Sequence, residues 1–270
     1  MRLHQIATTT AIAAALVNCR RLPAARRVVA ALDVSPVVAP LHRPVAALYE
    51  QNPWLTVVSS DVPSVVLYED GHVIHRVGAG PATRLVEGHI GPELVRRFMR
   101  DHIDFAQVAH YTSCSDRTDQ TTMRIVLRVN DRWENRVVYG LGADGRSPRP
   151  QDTSPPPGFV RVYRDLIALR AVDDRPWVPE TIEVMLWGFD YAETVVPWPS
   201  DLPSPEPTLQ PRDGGTESMY LAGRHRARLV EFLQSLGATR AVSFNGRRWA
   251  AGMRDVVPEE GSLADATQQP

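Results

Sequence analysis

Between Val65 and Leu141 the chain alternates between two hydrophobic periods. Val65–Tyr68 and His72–Val77 are short apolar runs flanking Glu69-Asp70-Gly71. Asp-Gly supplies the positive φ of a tight hairpin, so two paired strands are predicted there. Gly78–Gly88 keeps neither period and reads as a loop. From Pro92 onward, Leu94, Val95, Phe98 and His102 recur at helical spacing. Proline suits the first helical turn because its missing N–H has no partner to lose. Met123, Ile125, Leu127 and Val129 then alternate with Arg124 and Arg128, which predicts a strand with one buried face. Asn130-Asp131 turns it into an antiparallel return over Asn135–Leu141.

Outside this unit the pattern is coarser. Phe159–Ala171 presents a wide apolar helical face, and Thr181–Tyr191 reads as a long strand with an aromatic end. Val196–Pro211 holds six prolines and reads as a surface strap. Thr216–Leu221 is a short strand. Gly223–Leu236 is a helix stopped by Gly237 at the expected C′ position. Ala241–Phe244 and Arg247–Met253 form a hairpin across Asn245-Gly246. Prolines at 36, 40 and 44 make the stretch before Leu48 an extended lead-in, Leu48–Pro53 a loop, and Trp54–Ser59 a short strand. The fold expected is α+β: antiparallel sheets with helices packed on one face, in two closely associated subdomains. Their limits are 54–172 and 173–258, after a signal-like segment and proline-rich lead-in over 1–53 and before a disordered tail over 259–270.

Composition narrows the chemistry. All 30 basic residues are arginine, which excludes Schiff-base, P-loop and kinase-type lysines. A net charge of −1 argues against a generic nucleic-acid binder. Two cysteines, Cys19 and Cys114, make no disulfide framework. Arg2, the apolar run Ile6–Val17 and Leu16-Val17-Asn18-Cys19 follow the layout of a bacterial lipoprotein signal, except that Asn18 replaces the small residue before the cysteine. Lipidation at Cys19 would place the protein at the cell envelope. Export without lipidation would make it secreted; the other reading is an amphipathic helix interrupted by Pro23, or a misassigned start codon, in a cytoplasmic chain. The run is too short to span a bilayer, so no transmembrane helix is expected.

Reactive groups are scattered. His72 and His75 lie three apart in a strand, on opposite faces, and cannot chelate one ion together. His89, His102 and His110 surround the first helix with no ligand pair at i,i+4 on it, so no metal or other cofactor is expected. The loop His110–Asp119 is the densest segment. A Cys114 nucleophile with His110 as base is the enzyme reading, of hydrolase type. The other is turn chemistry, with Asp116 and Asp119 capping the sheet edge. Asp173-Asp174 and Glu259-Glu260 sit beside prolines and read as solvent-exposed. Arg224, Arg226, Arg228, Arg240, Arg247, Arg248 and Arg254 face only Glu231 and Asp255 between Ala222 and Asp255. Arg247, Arg248 and neighbouring Trp249 are therefore candidates for an acidic protein partner.

Tyr68-Glu69-Asp70-Gly71-His72-Val73, Thr118-Asp119-Gln120-Thr121-Thr122 and Val138-Tyr139-Gly140 resemble an uncharacterised bacterial domain family often found in envelope lipoproteins. Asn245-Gly246-Arg247-Arg248-Trp249 and Val257-Pro258 are similar to the closing segment of such proteins. The resemblance covers the central hundred residues and the last forty, and implies no activity, cofactor or catalytic residue. The leading expectation is a non-catalytic binding module tethered at the envelope. The rivals are the hydrolase reading and a protein that neutralises an acidic partner through its C-terminal arginines.

Overall fold

Val45–Tyr49 is apolar at every position, and the chain uses it as the middle of a sheet. Strand β1 (Pro44–Gln51) pairs antiparallel with β2 (Val65–Tyr68) on one side and β6 (Thr122–Val129) on the other. The computed structural model describes residues 43–51, 62–78, 83–142, 153–205, 209–212, 216–237 and 240–268. Cys19, the signal-like segment and Trp54–Ser59 lie outside them. Reading this stretch as lead-in and loop is therefore incorrect over Pro44–Gln51. Proline is acceptable as a first strand residue, and a run buried on both faces need not alternate.

The first sheet continues with β3 (His72–Val77), β4 (Arg84–His89), β5 (Tyr111–Ser113), β7 (Arg132–Tyr139) and β8 (Arg175–Pro176). Its order is β5-β7-β6-β1-β2-β3-β4-β8, with β5 parallel to β7 and the other pairs antiparallel. Strand β4 occupies Arg84–Gly88 of the segment expected to be loop. Gly88 and the polar Arg84 and Glu87 hid its period. Glycine is required at 88, because a Cβ there would stand 2.3 Å from the Ala171 side chain.

Alternation sorts this sheet into two faces. Leu48, Leu67, Val73, Ile125 and Leu127 pack with Val95 and Phe98 of α1 (Pro92–Asp101) and with Phe159, Val162, Tyr163 and Leu166 of α2 (Pro157–Ala168). The α2 residues recur at i, i+3, i+4 and i+7, one face of a 3.6-residue helix. Ala47, Tyr49, Val66, Tyr68, Ile74 and Val126 face the other way, against Val257 and Leu263.

Leu263 belongs to α4 (Glu260–Gln268), where a disordered tail was expected. Its side chain is fully buried, worth about 2 kcal/mol of apolar transfer. One leucine among polar residues leaves no period to read, so tertiary packing decides the element.

The second sheet runs β10-β13-β14-β9-β12-β11: β9 (Thr181–Gly188), β10 (Thr194–Pro197), β11 (Gln210–Arg212), β12 (Thr216–Ala222), β13 (Arg240–Phe244) and β14 (Arg247–Val256). Helix α3 (Arg226–Leu236) lays Leu229, Phe232 and Leu236 in a core with Ile182, Val184, Leu186, Val242 and Trp249. The proline-rich stretch does enter the sheet at Thr194–Pro197 and Gln210–Arg212, but only as its two edges, the places that tolerate a missing donor. Asn245 and Gly246 have φ of 52° and 67°, and Asn130 and Asp131 of 49° and 62°. Both hairpins thus turn with two left-handed residues. The whole is α+β, as expected, with α4 covering the face that α1 and α2 leave open.

Candidate functional site

The loop singled out by the sequence becomes a sheet edge. After α1, His102 ends the helix, Ile103–Gln107 makes a 3-10 turn, and the chain enters β5 beside β7. The Val137 N–H donates to the His110 carbonyl and the Cys114 N–H to the Tyr139 carbonyl, each at 2.9 Å. In a parallel ladder those two bonds turn the peptide groups of 110, 112 and 114 toward β7. The N–H and C=O of Tyr111 and Ser113 then point away from the sheet. The Tyr111 side chain is 57% exposed.

The remainder of the loop is pinned by hydroxyls. Ser113 Oγ donates to the Ser115 carbonyl at 2.8 Å, and Tyr139 OH donates to the Arg117 carbonyl at 2.6 Å. The Gln120 N–H donates back to Tyr139 OH at 3.0 Å. Gly140 lies at φ 78°, where a Cβ would meet the Ser115 Cβ at 2.7 Å. Asp116 and Asp119 are exposed, and Asp119 takes a left-handed φ of 60°. Serine and tyrosine, not these carboxylates, hold the turn.

Cys114 is fully buried in the core with Phe105, Val138 and Phe159, while His110 is at the surface. A thiol in that setting is not presented to a substrate, and its thiolate would be desolvated. The Cys114–His110 pairing that the hydrolase reading needs has no geometric support among the described residues.

The arginine excess of the C-terminal part is largely answered from outside the window in which it was counted. Arg226 is held by Asp255, Arg228 by Asp201, Arg247 by Glu217 at 3.1 Å, and Arg254 by Glu183 and Glu260. Arg248 donates to the Asp190 carbonyl at 3.2 Å. Arg247 also lies 3.9 Å over the Trp249 ring, whose other neighbour is Phe244, stacked at 5.3 Å. Trp249 is a buried core residue, so its aromatic surface serves packing. Local counting missed Glu183, Asp201 and Glu217 because strand pairing and the helix–loop contact bring them in from a distance.

A second polar cluster was visible only as isolated histidines. His72 and His89 are cross-strand partners on β3 and β4, and the His72 ring stacks between Tyr68 at 5.1 Å and His89 at 5.2 Å. Glu87 accepts from His72 Nε2 at 3.0 Å and from Arg175 Nε at 3.1 Å. His75 pairs separately with Asp174 at 3.1 Å, which keeps the two histidines on different partners, as their spacing demanded. Asp173 and Asp174 are exposed, as expected, and they also clamp Ala171–Asp174 across Gly88, Asp173 by accepting the His89 N–H. Among the described residues no group of three His, Cys, Asp or Glu side chains is placed to hold a metal ion. No described helix is long and apolar enough to cross a membrane.

His102 is almost fully buried, edge-on to Phe98 at 4.6 Å, with Nε2 at 2.9 Å from Asp165 Oδ2. Burial depresses its pKa, outweighing the attraction of Asp165. A neutral ring therefore donates from Nε2, leaving Nδ1 a buried acceptor without a donor. Comparisons of the chain with protein-family models, curated proteins and solved structures find no match.

Proposed function

We propose that the chain is a non-catalytic binding module that takes an extended segment of a protein partner along β5, and that lipid on Cys19 holds it at the cell envelope. The observation that carries the docking site is the contrast between β5 and the other three sheet edges among the described residues. Strands β8, β10 and β11 contain Pro176, Pro197 and Pro211, which deny a newcomer a donor and so blunt the edge. Strand β5 has no proline, turns the peptide groups of Tyr111 and Ser113 outward, and exposes the Tyr111 ring. An added strand would gain main-chain hydrogen bonds there, with Tyr111 as its side-chain contact. Four of the seven C-terminal arginines, Arg247 among them, already have carboxylate partners, so an acidic partner for Arg247 and Arg248 is the weaker reading. Tethering rests on Leu16-Val17-Asn18-Cys19 alone.

The test replaces Tyr111 by a photo-crosslinking phenylalanine in the producing cells, which are then fractionated. The expected result is one discrete heavier species in the envelope fraction, lost in Ser113→Pro and displaced to the soluble fraction in Cys19→Ala. An adduct insensitive to Ser113→Pro, or none, ends the edge-docking reading. Envelope partitioning that persists in Cys19→Ala ends the tether.

A further inference from the structure

Where the chain leaves the second sheet and crosses to the first, three charged side chains meet out of water. Glu183 is 1% exposed in the middle of β9, and its carboxylate accepts from Ser218 Oγ of β12 and from Arg254 of β14. The other end of the Arg254 guanidinium donates to Glu260, the first residue of α4. Arg254 and Glu260 expose only 9% and 15% of their side chains. Glu260 Oε2 is buried and has no hydrogen-bond partner. Two carboxylates thus meet the one guanidinium of Arg254, and their like charges disfavour ionisation of both at once.

The position of this network gives it leverage. Val257 and Leu263, on either side of Glu260, fill the apolar face of the first sheet. Tyr68 OH donates to the Pro258 carbonyl at 3.1 Å. Arg254 is therefore the charged link between β14 and the start of the helix that covers Ala47, Val66, Tyr68, Ile74 and Val126.

We propose that Glu183, Arg254 and Glu260 form a proton-controlled latch that holds α4 over the Tyr68 face of the first sheet. The proton resides on Glu260, whose Oε1 meets Arg254 and whose Oε2 is buried away from the guanidinium. The groups facing it are Arg254 from β14, Glu183 from β9 and the Tyr68 hydroxyl from β2. Burial raises the Glu260 pKa, and the attraction of Arg254 offsets this only in part. Burial also works against the charge on Arg254, but Glu260 and Glu183 more than compensate, so the guanidinium stays charged throughout. The sign follows from linkage. With the docked helix binding the proton more tightly than the free one, docking weakens as pH rises above the ordinary carboxylate range.

Amide hydrogen exchange over 259–268 in the full chain tests this, at about pH 5 and about pH 8, after correction for intrinsic exchange. The expected result is more frequent local opening at the higher pH, the direction set by a docked carboxyl that binds its proton more tightly than the free one. Glu260→Gln, which carries neither charge nor proton, should remove the pH dependence while α4 stays protected. Retention of the pH dependence in Glu260→Gln overturns the latch. Loss of protection in Glu260→Gln at both pH values also overturns it, because the charge itself would then be what docks the helix.

Discussion

His102 illustrates how a residue legible in the sequence as part of a helical stripe acquires a property the stripe does not announce. Its spacing from Val95 and Phe98 placed it on the buried face of α1, and it lies there. What spacing could not convey is Asp165, brought from α2 to hold Nε2. With its folded pKa depressed by burial, the unfolded chain binds a proton that the folded one resists. Stability from this group is fully present above the ordinary histidine pKa and falls with acidification below about pH 6.5. In urea denaturation, His102→Gln should lose less stability than the parent between about pH 6.5 and about pH 5, since the amide can still donate to Asp165 but does not titrate. An equal loss in both proteins would contradict the assignment. The same distinction separates Glu260 from its sequence neighbourhood. Beside Pro258 and Glu259 it looks solvated, and only the long-range Arg254 and Glu183 contacts reveal a buried carboxylate.

At the scale of elements, turns and two-period stretches were legible and apolar or polar runs without a period were not. The Asp-Gly, Asn-Asp and Asn-Gly hairpins all form, as do the helices starting near Pro92 and within Phe159–Ala171. Strand β1 was hidden because both of its faces are buried, β4 because half of it is polar, and α4 because a single leucine anchors it. Gly71 is the most demanding turn residue. It sits at φ 92°, and an added Cβ would come within 2.1 Å of the Ile90 carbonyl oxygen. Gly71→Ala is expected to cost at least about 2 kcal/mol, from left-handed strain before any clash is counted. Gly91→Ala meets open space at an ordinary φ of −61° and should change little. Chemical denaturation of the two variants side by side checks the ranking, and equal midpoints would refute it. The candidate site follows the same rule. The sequence marked His110–Asp119 as dense in reactive groups, but the outward turn of Tyr111 and Ser113 depends on β7 and could not be read locally.

The two sheets meet through the last helix, and that governs the behaviour of the whole molecule. A chain ending at Pro258 keeps every strand of both sheets but uncovers Val66, Ile74 and Val126. Such a truncation should retain its β-sheet circular dichroism and bind an apolar dye such as anilinonaphthalene sulfonate several-fold more strongly than the full chain, as exposed contiguous apolar faces do. Unchanged dye binding would mean that α4 covers nothing of consequence. The arrangement also has a history in time. Proteins leave the ribosome N-terminus first, at roughly 5–20 residues per second, and fold as they emerge. Tyr68 and its carbonyl partner on Pro258 are separated by 190 residues. Val126, the last strand residue of that face, precedes Leu263 by 137 residues, so each nascent chain carries a bare apolar surface for roughly seven to thirty seconds. A holding chaperone that shields this face during the interval is expected to raise the yield of folded protein.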